Sequence, residues 1–166
     1  LNDSAIINPF NSDYLFWNPD ALPDPTWEVG STRLHLGKQA GYLLQGAEIV
    51  ALGNSAGYNN QGDYGVAIGY NSGNQNQGDG AVAIGWETGL TSQGIYSVSI
   101  GTDAGKTIQG ANAIAIGYQA GRDNQNAGSV AIGYQAGFDP QGINSVAIGY
   151  QAGMQNQGGG AIAIGQ

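Results

Sequence analysis

One spacing governs this chain. A glycine preceded by Ile or Leu recurs at Gly37, Gly53, Gly69, Gly85, Gly101, Gly117, Gly133, Gly149 and Gly165, sixteen residues apart each time and without a slip. A second glycine follows four residues after each of the first eight, from Gly41 and Gly57 through to Gly153. Eight residues after the same reference glycine stands a glutamine: Gln45, Gln61, Gln77, Gln93, Gln109, Gln125, Gln141 and Gln157. A third glycine follows that glutamine in every repeat but one, where Asn126 replaces it. Asn is the commonest non-glycine residue at positive φ, so the exchange predicts a left-handed turn there. A period this strict restricts the chain to a repeat architecture whose units pack only on their neighbours.

Within one unit, apolar residues sit three and one before the reference glycine, as in Val130 and Ile132 or Val146 and Ile148. Alternation of this kind reads as a strand, with Val and Ile facing inward. The small residue three after the glycine (Ala40, Ala56, Ser72, Thr88, Ala104, Ala120, Ala136, Ala152) predicts a second short strand facing the same narrow interior. Such a unit cannot bury its apolar side chains alone. Stacked copies a strand spacing apart, roughly 4.8 Å, form a continuous core and parallel sheets. The expected fold is therefore all-β, a parallel β-roll or β-solenoid with sixteen-residue coils, nearly free of helix and holding about eight repeats over residues 33–166. The recurring Gln, whose amide both donates and accepts, predicts a structural ladder between coils.

The strand residues on the other side of the alternation are small and uncharged. They include Ala67, Ala83, Ser99, Ala115, Ala131, Ala147 and Ala163. A strand with no polar alternation is normally buried on both faces, which predicts a subunit interface along this column. The bland alternative is a monomeric solenoid with an Ala-rich exposed face. At the first coil the same face carries Arg33 and His35.

The segments Ser129-Val130-Ala131-Ile132-Gly133 and Ser145-Val146-Ala147-Ile148-Gly149 resemble the head repeats of trimeric autotransporter adhesins. Similar repeats occur in phage and large-virus fibres. The resemblance runs from about Arg33 to Gln166. It implies a left-handed parallel β-roll wound side by side in threes, hence a homotrimer on a virion or bacterial cell surface, extracellular, giving rigid reach and multivalent attachment to a host glycan or protein receptor. The family repeat is usually shorter, and the recurring Gln-Gly turn is not part of its pattern.

Residues 1–32 show no repeat and hold four of the five prolines (Pro9, Pro19, Pro23, Pro25) together with Trp17, Trp27, Phe10 and Phe16. Open solenoid ends expose core and strand edges, so this segment reads as an N-terminal cap, with a receptor-binding tip as the functional alternative. At the other end Ala161-Ile162-Ala163-Ile164-Gly165-Gln166 stops after an apolar strand, from which the natural chain is expected to continue.

Chemistry is sparse. The chain has no Cys, which excludes disulfides and thiolate metal sites. Its four basic residues, Arg33, Lys38, Lys106 and Arg122, against a net charge of −8, make no patch for nucleic acid, and no apolar run is long enough to span a membrane. His35, the single histidine, has no nucleophile partner in any recognisable motif; its functional alternative is a threefold ion site. Asp63 and Asp79 share one register and Asp123 and Asp139 another, but the Gly-Gly-x-Gly-x-Asp calcium repeat is absent. No catalytic residue, metal site or cofactor is expected, and the chain does not read as an enzyme. Residues following the reference glycine are aromatic at Tyr70, Trp86, Tyr118, Tyr134 and Tyr150. Stacking between coils is the plain reading of that column. Receptor contact by Tyr118, Tyr134, Tyr150 and Trp86 is the functional one. Ice binding needs a regular Thr array, whereas Thr88, Thr91, Thr102 and Thr107 are scattered; polysaccharide binding or cleavage on a monomeric solenoid needs aligned acids that are not found.

Overall fold

The computed structural model describes residues 15–18, 26–29 and 33–165. Most of the segment expected to form the N-terminal cap lies outside them. Of it, Leu15–Asn18 and Thr26–Val29 pair as antiparallel strands, Leu15 opposite Val29 and Asn18 opposite Thr26.

From Leu34 onward each sixteen-residue repeat makes one coil of a parallel β-solenoid. Nine three-residue strands, beginning with Leu34–Leu36, Val50–Leu52 and Val66–Ile68 and ending with Ile162–Ile164, stack into one sheet. Its register is the repeat itself: Val66 faces Val82, Ala67 faces Ala83 and Ile68 faces Ile84. A second sheet of five strands contains Asn59–Gln61, Gln75–Gln77, Thr91–Gln93, Thr107–Gln109 and Asp123–Gln125. The second strand therefore lies later in the repeat than the sequence pattern suggests. The small residue after the reference glycine sits instead in a turn, buried, and the strand ends on the recurring Gln.

Two tight turns join the strands. In the first, the Ala56 amide donates to the Gly53 carbonyl with Ser55 at φ 55°, and in the second the Gly65 amide donates to Gly62 with Tyr64 at φ 59°. Positive φ at the third residue marks both as type II turns. The reference glycine itself holds φ between 126° and 138° from Gly37 to Gly149, a region that side chains rarely enter, and successive copies lie almost in contact. A Cβ on Gly101 would stand 2.6 Å from the carbonyl oxygen of Gly117. The glycine after the recurring Gln is there for a different reason from the one expected. Neither it nor Asn126 is at positive φ; a Cβ on Gly78 would lie 2.6 Å from the Ile95 amide nitrogen of the next coil. Where Asn126 carries that Cβ, its amide bond to the Gln141 carbonyl lengthens to 3.1 Å, against 2.8 Å for Gly94 to Gln109.

The coil is the reverse of expectation in its facing. Ala51, Ala67, Ala83, Ala115, Ala131, Ala147 and Ser99 are fully buried within the single chain, while Val66, Ile68 and their equivalents lie on the outer face of the nine-stranded sheet, half-buried in the middle coils and exposed at Leu36, Ile148, Ile162 and Ile164. At most four side chains per coil point inward, small ones and the Gln, except that His35 takes one inward position in the first coil and Ile49 is fully buried in the second. Sixteen residues, most of them in tight turns, leave too little width for two whole columns of Val and Ile to face inward.

Besides the two turns, most coils hold a third left-handed position. Seven residues after the reference glycine the chain is left-handed at Leu44, Asn60, Asn76, Ser92, Ile108, Asn124 and Asn156. Asn and Ser tolerate this, but Ile108, β-branched and 58% exposed, does not. Ile108→Asn is expected to raise the unfolding free energy by about 1 kcal/mol, read as a higher urea midpoint; an unchanged or lower midpoint contradicts the strain. Pro140 occupies this position in the coil between those of Asn124 and Asn156. Its ring holds φ negative, and the second sheet there gives way to single bridges at Gln141 and Gln157.

Candidate functional site: the outer faces of the coil

The interior is filled and structurally self-sufficient. From Gln61 onward each recurring Gln crosses the coil to donate through Nε2 to a carbonyl of the opposite strand: Gln61 to Val50 at 3.0 Å, Gln93 to Val82 at 2.8 Å, Gln125 to Ile114 at 2.8 Å and Gln157 to Val146 at 2.8 Å. In the later coils the amides also bond each other. Gln109 donates to Gln125 at 3.1 Å, Gln125 to Gln141 at 3.2 Å and Gln141 to Gln157 at 3.2 Å, and Ser99 starts the series by donating to Gln109 Oε1 at 2.7 Å. In the earlier coils the Oε1 atoms of Gln61, Gln77 and Gln93 have no such donor. Each instead faces the glycine four residues upstream: a Cβ on Gly73 would lie 2.8 Å from Gln77 Oε1, and one on Gly89 2.7 Å from Gln93 Oε1. The glycine leaves room for the amide and offers a weak C–H donor. Gln45 at the first coil is exposed on one side and bonds the Leu43 and Gly57 carbonyls.

The buried hydroxyls, by contrast, are satisfied. Ser97, Ser129 and Ser145 donate to the carbonyl three residues back at 2.6 to 2.7 Å, and Thr88 to Ala104 at 3.1 Å. His35 stands in register with Ala51 and so faces the interior, not an external axis. Its Nε2 is buried against Gly41 without a partner. Burial, then the neighbouring Arg33 charge, hold its pKa below the ordinary imidazole value. Acidification through the ordinary imidazole range therefore disfavours the first coil, because the unfolded chain takes up the proton first.

The column Ala67, Ala83, Ser99, Ala115, Ala131 and Ala147, expected on sequence to form an outer interface, is thus the coil core, with Ala163 half-buried at the last coil. What the outer face of the nine-stranded sheet carries instead is an aliphatic strip. Its two columns run Leu34, Val50, Val66, Val82, Val98, Ile114, Val130, Val146, Ile162 and, beside it, Leu36 through Ile164. Eight strand spacings make it roughly 38 Å long. No polar or charged residue interrupts either column.

A corner of the coil carries the aromatic column. Tyr118, Tyr134 and Tyr150 stack nearly parallel, with centroids 5.2 and 5.1 Å apart and planes 16° and 8° from parallel. Thr102 interrupts the column, so Trp86 is separated from Tyr118 and meets Tyr70 edge-on at 5.6 Å and 65°. Alongside, Gln135 donates to Gln119 and Gln151 to Gln135, both at 2.9 Å. Lys106 pairs with Glu87 at 2.8 Å and Asp103 at 2.9 Å, tying two coils together. The Lys106 contact lowers the Glu87 pKa, and that of Lys106 is raised in turn. Arg122 sits 5.2 Å over the Phe138 ring and bonds Asp123 at 3.0 Å. Asp63 and Asp79 cap neighbouring coils, accepting from the Ala47 and Asp63 amides at 2.8 and 3.0 Å. Among the described residues no group of three acidic, His or Cys side chains is placed to hold a metal, and no helix is long and apolar enough to cross a membrane.

These features define a rigid solenoid whose distinguishing chemistry is on its surface. The YadA head domain repeat matches the chain in two copies, at residues 109–120 and 141–153, two coils apart. The matched copies and the solenoid around them fit the head repeats of trimeric autotransporter adhesins, an adhesin-type structural class that is surface-exposed and in general non-enzymatic. No curated protein and no solved structure matches the chain.

Proposed function

We propose that this chain is a head segment of a surface fibre, three copies standing side by side with the aliphatic strip of each turned toward the other two. The observation that carries this is the strip itself. A monomer with some eighteen aliphatic side chains aligned on one sheet face exposes a contiguous apolar patch of the kind that marks protein interfaces. Heads of the matched family are homotrimers in general, and a second and third copy of the same strip cover it with matching chemistry and length. The role is rigid reach, with the outward corners presented three times over to a host glycan or protein, so that weak contacts gain avidity. Receptor contact is placed on the exposed aromatic corner formed by Trp86, Tyr118, Tyr134 and Tyr150. Because the tyrosines stack on one another, they offer ring edges and hydroxyls to a partner.

A chain without cysteine makes the test simple. With a short bifunctional thiol crosslinker, Ile100→Cys on the strip is expected to give covalently joined subunits on a denaturing gel, whereas Gln75→Cys on the exposed second sheet gives none. Absence of joined subunits from Ile100→Cys, or equal yields from both, overturns the arrangement.

A further inference from the structure

Three stacked phenols on a rigid scaffold are a reactive arrangement. Tyr118, Tyr134 and Tyr150 are 44%, 43% and 52% exposed, so an oxidant reaches them, and the coil register holds neighbouring rings near-parallel with centroids 5.1 to 5.2 Å apart. Each sits on a separate coil, so a bond between two of them joins coils that are otherwise held by hydrogen bonds and packing. Tyr64 and Tyr96 are more exposed, at 62% and 64%, and have no ring contact. They serve as controls within the same chain.

We propose that the Tyr118–Tyr134–Tyr150 column is a site of oxidative tyrosine coupling that covalently staples successive coils. A one-electron oxidant, such as a haem peroxidase charged by hydrogen peroxide, breaks the O–H bond of two neighbouring phenols, taking one electron and one proton from each. The two phenoxyl radicals join through ring carbons ortho to their oxygens. The hydrogens on those two carbons then move to the oxygens as protons, restoring both phenols. The chain loses two hydrogen atoms for each bond formed, and one hydrogen peroxide is reduced to two waters. The reaction needs one chain only and does not depend on how subunits associate.

The test treats the intact protein, at low concentration, with peroxidase and hydrogen peroxide, followed by tryptic digestion. Cleavage after Lys106 and Arg122 places Tyr118 in peptide 107–122 and Tyr134 with Tyr150 in peptide 123–166. The expected product is a joined pair of these peptides lighter by two hydrogens, with dityrosine fluorescence, from a chain that still runs as a monomer on a denaturing gel and melts at a higher temperature than untreated protein. Tyr134→Phe keeps the stack but lacks the phenol, and is expected to lose the joined product, leaving Tyr118 and Tyr150 two coils apart; circular dichroism confirms that the variant is folded. Dityrosine that maps to Tyr64 or Tyr96, that joins separate chains, or that persists between these peptides in Tyr134→Phe overturns the proposal, as does its absence from the unmodified protein.

Discussion

Gly117→Ala is expected to leave this protein largely unfolded or with a sharply lowered denaturant midpoint. At φ 128° Gly117 occupies a region that side chains rarely enter, and a Cβ there would stand 2.5 Å from the Gly133 carbonyl oxygen in the next coil. Backbone strain of this kind costs on the order of 1–3 kcal/mol by itself, and the collision with a fixed backbone adds to it. Nothing nearby can yield, because the same glycine column continues above and below. Gly158→Ala is the internal control: no atom lies within 4 Å of its Cβ and its φ is not positive. Its stability should stay within about 0.5 kcal/mol of the parent. Equal effects for the two substitutions, measured by urea unfolding, would remove the close-stacked glycine column from the account.

The second large effect separates two neighbours on one strand. Ala115 is fully buried and Ile116 only half-buried in the single chain. Ala115→Glu pushes a long carboxylate into an interior already spanned by the Gln109 and Gln125 amides, combining overpacking with a buried unpaired charge worth several kcal/mol. Loss of the folded coil is expected, seen as a collapsed circular dichroism signal. Ile116→Glu places its charge on the outer strip, so the coil is expected to stay folded while subunits separate. If Ala115→Glu stays folded and Ile116→Glu unfolds, the facing is the opposite of that described here.

That facing is where sequence and structure part. The sixteen-residue period translates directly into the inter-coil register, because stacked parallel strands leave no room for slippage between identical units. Alternation assigns Val130 and Ile132 to one side and Ser129 and Ala131 to the other, but it does not say which side is inside. The larger apolar side chains go inward in a wide core, whereas here the width between the two sheets suits Ala and Ser beside one Gln. A signal for this was present: Gln recurs in every repeat with a glycine four residues before it, the pairing needed for an amide that crosses a narrow interior against a bare Cα. The absence of charge from the Ala column was correctly a sign of burial, although the burial is within the coil. Asn126 illustrates a second ambiguity, since a recurring glycine answers equally to positive φ and to close approach, and only the spacing to the next coil tells them apart. The aliphatic strip became visible only once the facing was known.

Molar mass in solution, from light scattering on the unmodified protein, tests the central claim most directly. Three times the 17.0 kDa chain mass is expected, with Ile116→Glu falling to a single folded chain. A stable monomer for the unmodified protein, its aliphatic strip open to water, would contradict it.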